Sequence, residues 1–225
     1  MDWQDIFKLL HVLTFVYWVG ADLGVFYAAR HVVNPKYTPQ TRATLLKVLA
    51  WIDMIPRYML LLTFPVGATL AANLGYSPID GVWLYLVWIA AVVWLVMVWQ
   101  IHHREGSEQA KRLTRIDLFL RFAFIAALAI PAITSLAGAG PYQTDWLPIK
   151  ILLFAGAVAC GVGIRVTFTP FGAAFGKLMT EGSSPAVEAQ MTRSLNHAVP
   201  FVIGIWIFAA ITAFLGMNHE ILFGG

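Results

Sequence analysis

Six long apolar runs organise this chain, at roughly 6–29, 47–73, 82–103, 116–137, 146–168 and 197–217. A helix rises ~1.5 Å per residue, and a bilayer's hydrocarbon core is ~30 Å thick, so about 20 apolar residues suffice to cross it. Each run has that length, and the pattern predicts an all-α polytopic membrane bundle. Six transmembrane helices are expected, in a single domain over residues 1–225. The connectors alternate in charge. The first carries Arg30, Lys36, Arg42 and Lys47, the third Arg104, Lys111, Arg112 and Arg115, and the fifth Arg165, Lys177 and Arg193. The second, the fourth and the C-terminal tail contain no Lys or Arg. Positively charged connectors stay cytoplasmic, so both termini are expected outside, with Trp3, Trp83 and Trp146 at the outer interface.

Local signals refine these elements. Thr38–Pro39 reads as an N-cap followed by proline at the first helical position, so the second helix should begin ahead of its apolar run. Ser184–Pro185, with Glu188 in the first turn, repeats the signal and predicts a short interfacial helix before the sixth span. Pro56, Pro65 and Pro131 fall inside spans, where each should kink its helix.

Composition fixes the class. The chain is 59% hydrophobic and 12% charged, with mean hydropathy +0.72; soluble domains carry about 25% charged residues. The lipid bilayer is therefore the first partner, and a bacterial-type inner (plasma) membrane the expected setting. The N-terminal stretch lacks the basic flank and cleavage site of a signal peptide and reads as a retained first span. Cys160 stands alone, which rules out internal disulfides and thiolate clusters carried by this chain. The net charge of +3 is spread over connectors and gives nucleic-acid binding no support.

Candidate chemistry begins in the first run. His11, Trp18 and Asp22 lie seven and eleven residues apart, hence on one helix face, and polar residues inside a span tend to mark a site. Lys150 falls at similar depth in the fifth span, so it and His11 are expected to share an outer-side site. Toward the cytoplasm, Asp53/Arg57 and Asp117/Arg121 are spaced for pairing along a helix. They read either as a structural ion-pair network or as an anchor for ligand carboxylates, with Arg57 the strongest candidate because a guanidinium binds carboxylates through two hydrogen bonds. Arg42 lies in what reads as a solvated connector, so its loss should matter less than that of Arg57. His31, His102, His103 and His197 fall near the cytoplasmic ends of spans and His219 near the outer end of the last. Histidine is the usual axial ligand of a b-type haem. His11 and His197 are the candidate metal ligands. The scattered methionines show no copper-relay spacing, and neither a phosphate-binding loop nor a dinucleotide fingerprint occurs.

Four short pieces together resemble the HemJ-type protoporphyrinogen oxidase family, small integral-membrane proteins that bind b-type haem. They are Lys8-Leu-Leu-His11 with Trp18 seven residues on; Arg57-Tyr58 with Thr63-Phe64-Pro65; Trp146-Leu147-Pro148-Ile149-Lys150; and Arg193-Ser-Leu-Asn196 before the final helix. Their order agrees with the family's. Pro148 stands where the family has a histidine, His197 where an acidic residue is expected, and spans three and four look like an insertion. The resemblance implies a divergent haem-binding relative. It assigns His11 and Lys150 to haem and activity; Trp18 and Arg57 join them here as candidate cofactor-binding residues. Lys150 and Arg57 are the candidate catalytic groups. The expected function is a b-haem membrane oxidoreductase acting on a porphyrinogen and passing electrons to the quinone pool. The alternatives are a cytochrome b-like electron-transfer subunit, with His102 or His103 facing His197 around a second haem, and a CopD-like copper transporter. A homo-oligomer is compatible with each.

Overall fold

The computed structural model describes residues 2–223, and all regular structure among them is helical. Seven α-helices follow one another: α1 (Trp3–Val32), α2 (Pro39–Ile52), α3 (Met54–Asn73), α4 (Gly81–His103), α5 (Glu108–Leu136), α6 (Trp146–Glu181) and α7 (Pro185–Phe223). Five of them, α1, α4, α5, α6 and α7, are long and apolar enough to cross a bilayer. The protein is thus a helical membrane bundle. Its long helices close a ring in the spatial order α1–α3–α4–α5–α6–α7–α1, with α2 set against α1, α3 and α6. Alternating directions bring the start of α1, the ends of α3 and α7 and the start of α6 to one end of the bundle. That end is the one poor in charge.

The apolar run at 47–73 is divided between two helices. α2 ends at Ile52, Asp53 forms the turn, and α3 starts at Met54. Pro56 explains the break, since its ring clashes with the carbonyl four residues back, which is that of Ile52. Pro65 and Pro131, by contrast, lie inside helices that run on past them. Both capping signals are present. Thr38 accepts a hydrogen bond from the Thr41 amide at 3.2 Å, and Ser184 one from the Val187 amide at 3.3 Å.

The fifth connector differs from its sequence reading. The separate interfacial helix expected after Pro185 is instead the first part of α7, which continues to Phe223 with one non-helical residue at Asn218. α6 likewise runs to Glu181, leaving a tight turn at Gly182, whose φ of +85° suits a residue without a Cβ. At 36 residues α6 is about 54 Å long, well beyond a bilayer's core. The excess builds a second apolar core at the charged end. There Val32, Phe171, Ala174, Leu178, Val187 and Met191 pack together, flanked by Leu45, Leu46 and Leu49 of α2.

Arg42 is sealed into this second core and is not a solvated connector residue. Its side chain is 1% exposed; Nε donates to the Val32 carbonyl at 2.6 Å, and Nη1 and Nη2 donate to the two Glu188 oxygens at 2.7 and 3.0 Å. The end of α1 and the start of α2 are thereby tied to the start of α7, 146 residues on from Arg42, by one side chain. Arg165 also leaves the connector to which its charge was assigned, because it lies inside α6 and pairs with Asp117 of α5.

Candidate functional site

The membrane core is closed at mid-depth by Trp18, Leu61, Leu128, Phe154 and Val158. Trp18 is buried and meets Phe154 edge to face, ring centres 6.0 Å apart. On the charge-poor side of this floor the helices part around a cavity of about 530 Å³, well within the usual range for ligand pockets. His11 and Trp18 reach it from α1, Gly67 from α3, Lys150 from α6, and Thr212 and Gly216 from α7. Over its mouth lie Tyr76, Trp146 and His219. The Trp146 and His219 rings lie 4.3 Å apart, Tyr76 meets Trp146 edge to face at 5.3 Å, and His219 Nδ1 is 3.1 Å from the Gly216 carbonyl.

His11 owes its position to two neighbours. The α1 stripe of Thr14, Trp18 and Asp22 faces inward, and His11 falls on the same face one turn earlier. Its ring then lies against the bare backbone of α3, since a Cβ added to Gly67 would come within 2.9 Å of its Cε1. The Nδ1 atom is buried without a hydrogen-bond partner among the described residues. A buried polar atom of this kind costs free energy until something satisfies it. The Thr212 hydroxyl, on the same cavity, is also buried and unpartnered among the described residues.

The cavity's charge has one sign. Lys8 and Lys150 line it together with His11 and His219, and no Asp or Glu does so among the described residues. The Lys150 ammonium lies against the bare face of α7, where a Cβ on Gly216 would run into it. No carboxylate pairs with it among the described residues. An apolar chamber with an unsatisfied imidazole and an unpaired ammonium suits a ligand with a large apolar body, an electron-pair acceptor and a carboxylate.

Of the residues singled out in the sequence, His11, Trp18 and Lys150 are therefore brought to one cavity. Arg57 and His197 are not among its lining. Arg57 is bound to Asp53, one turn back at the start of α3, and His197 is exposed on α7. His102 and His103 pack around Trp51 at 5.0 and 5.9 Å.

Asp22, although on the His11 face, accepts a hydrogen bond from the Trp206 indole at 2.8 Å. Asp117, with no exposed surface, is held by Arg121 at 3.1 Å, by the Trp94 indole at 2.7 Å and by Arg165. These polar groups lie below the aromatic floor and fasten helices to one another. Sequence reasoning missed His219, Gly67, Thr212 and Gly216 as parts of the site. Only His219 carried any signal, and its place at a helix end resembles that of an ordinary interfacial histidine.

No family model, curated protein or solved structure matches this chain.

Proposed function

We propose that this protein is a membrane oxidoreductase that holds a b-type haem in the cavity, with His11 as an iron ligand. The observation that carries the reading is the His11 imidazole, whose Nδ1 is buried and unpartnered among the described residues, in an otherwise apolar chamber whose charged lining groups are all cationic among those residues. The donor set fits such a group. A neutral imidazole offers a lone pair to iron, the aromatic floor at Trp18 and Phe154 offers flat apolar surface, and Lys150 and Lys8 offer charge to propionates. Arg57, already engaged by Asp53, takes no part in this arrangement. Bound haem would supply one-electron redox chemistry. The chain's own residues then have three tasks: His11 holds and orients the group, the aromatic mouth excludes water, and Lys150 neutralises a carboxylate or carries a proton. A porphyrinogen is the proposed reductant and the quinone pool the acceptor, since both partition into lipid. α3, 20 residues long, counts as the sixth span in this reading, and the charge-poor end with both termini faces outward.

The test is an optical spectrum of the purified, detergent-solubilised protein, oxidised and then reduced. Sharp b-type bands with one haem per chain are expected. His11→Ala should lose the haem or shift its bands, whereas His197→Ala, exposed on α7, should not. A protein without haem, or a His11→Ala variant with full haem and unchanged bands, would overturn the assignment.

A further inference from the structure

The walls of the cavity are unequally sealed. Between α1 and α3 the His11 ring fills the space above Gly67. α6 and α7 pack along their length, with Phe208 against Gly156 and Cys160 against Gly204. The mouth is covered by Tyr76, Trp146 and His219, and the floor by Trp18 and Phe154. The seam between α1 and α7 is different. These helices meet below the floor, where Trp206 contacts Asp22 by hydrogen bond and Phe26 edge to face at 5.4 Å. Toward the charge-poor end residues of both helices line the cavity, and several of these side chains are exposed. Val12 is 53% exposed, Val16 51% and Met217 74%. These exposed apolar side chains belong to two of the helices long and apolar enough to cross a bilayer.

We infer that the cavity opens sideways into the bilayer between α1 and α7, and that it takes a lipid-dissolved amphiphile bearing a carboxylate, which it pairs with Lys150. The inference rests on the cavity being a ligand site, but not on the ligand being haem. The portal is apolar along both edges, through Val12 and Val16 on one helix and Ala213 and Met217 on the other. It therefore imposes no desolvation on an apolar body arriving from lipid. The unpaired Lys150 ammonium lies inside this portal, toward α7. A charge in such a place is costly without a partner, so a carboxylate gains more there than an alcohol of the same chain length. Thr212, with its unpartnered hydroxyl, adds a donor on the same wall.

The test is cysteine labelling of the full chain in liposomes, in a Cys160→Ala background so that the introduced thiol is the only one. Thr212→Cys reports on the cavity, Ala213→Cys is a second reporter should the first fail to fold, and Asn73→Cys, exposed at the end of α3, is the aqueous reference. Pyrenylmaleimide dissolved in the lipid should label the Thr212→Cys variant at least tenfold faster, relative to the reference, than a charged methanethiosulfonate does. Val16→Trp, at the lipid-facing edge, should slow that labelling tenfold or more. Oleate in the liposomes should protect the cavity thiol better than oleyl alcohol, and Lys150→Gln should abolish the difference. Preferential labelling by the charged reagent, or none by either, would overturn the lateral portal; equal protection by oleate and oleyl alcohol would overturn the carboxylate preference. None of these readouts needs haem. A haem-free protein that labels from the lipid fails only the haem reading, and a haem-loaded one that labels only from water fails only the portal.

Discussion

Arg42→Ala should be among the most damaging single substitutions in this protein, and more damaging than Arg57→Ala. Removing the Arg42 fork leaves the Val32 carbonyl without its 2.6 Å donor and the Glu188 carboxylate without two bonds of 2.7 and 3.0 Å. Breaking a buried ion pair costs about 3–5 kcal/mol. Glu188 is 17% exposed, so water recovers part of its loss and the lower end, about 3 kcal/mol, is expected. The Arg57–Asp53 pair is 39% and 24% exposed and spans only one helical turn, which places its loss nearer about 1 kcal/mol. With a shift of about 2–4 °C per kcal/mol for chains of this size, Arg42→Ala should lower the melting temperature by about 6–12 °C. Thermal unfolding of both variants in one detergent measures the difference. Arg42→Lys, which keeps the charge but loses the fork, should fall between. If Arg42→Ala melts with or above Arg57→Ala, the clamp joining α1, α2 and α7 contributes nothing, and the burial argument is wrong.

The same clamp, at the charged end beyond the bilayer core, predicts a response to acid. Hydrogen bonding from Arg42 holds the Glu188 carboxyl below its ordinary value of 4.5. A depressed folded-state pKa contributes stability above the unfolded value and loses it as pH falls through the folded value. Melting temperature should therefore drop below about pH 4.5 in the wild type and less steeply in Glu188→Gln; parallel curves would remove the clamp from the acid response. At the cavity, Gly67→Ala forces the His11 ring to yield from 2.9 Å to the ordinary contact of 3.4 Å. It should alter haem content or spectrum with little change in melting temperature, and an unaltered spectrum would separate the His11 seat from ligand binding. Reporter fusions after Asn73 and after Ala139 should read as external and one after Glu105 as cytoplasmic. The reverse at any two would turn the proposed orientation over.

Hydrophobic length was enough to establish an all-helical membrane bundle, because runs of about 20 apolar residues match a membrane-crossing helix, whose backbone polar groups are satisfied within it, and are about twice the length of a barrel strand. Helix starts at Pro39 and Pro185 and the disturbance at Pro56 could also be read directly, since caps and proline act within one turn. The inward face of α1 followed from spacing alone, and with it the alignment of His11 and Trp18. What spacing could not supply was the partner across the bundle. Arg42 and Arg165 looked like connector charges because sequence shows position along the chain and not the carboxylates, Glu188 and Asp117, that fold against them from 146 and 48 residues away. The Asp53–Arg57 pair was legible from its spacing of four residues, but that Arg57 lies outside the cavity lining was not. The cavity was equally hidden. Its lining is assembled chiefly from residues of α1, α3, α6 and α7, and Gly67 and Gly216 carry no side chain where His11 and Lys150 need room. An absent side chain and a gap between helices leave no periodic trace, so only the tertiary structure could reveal them.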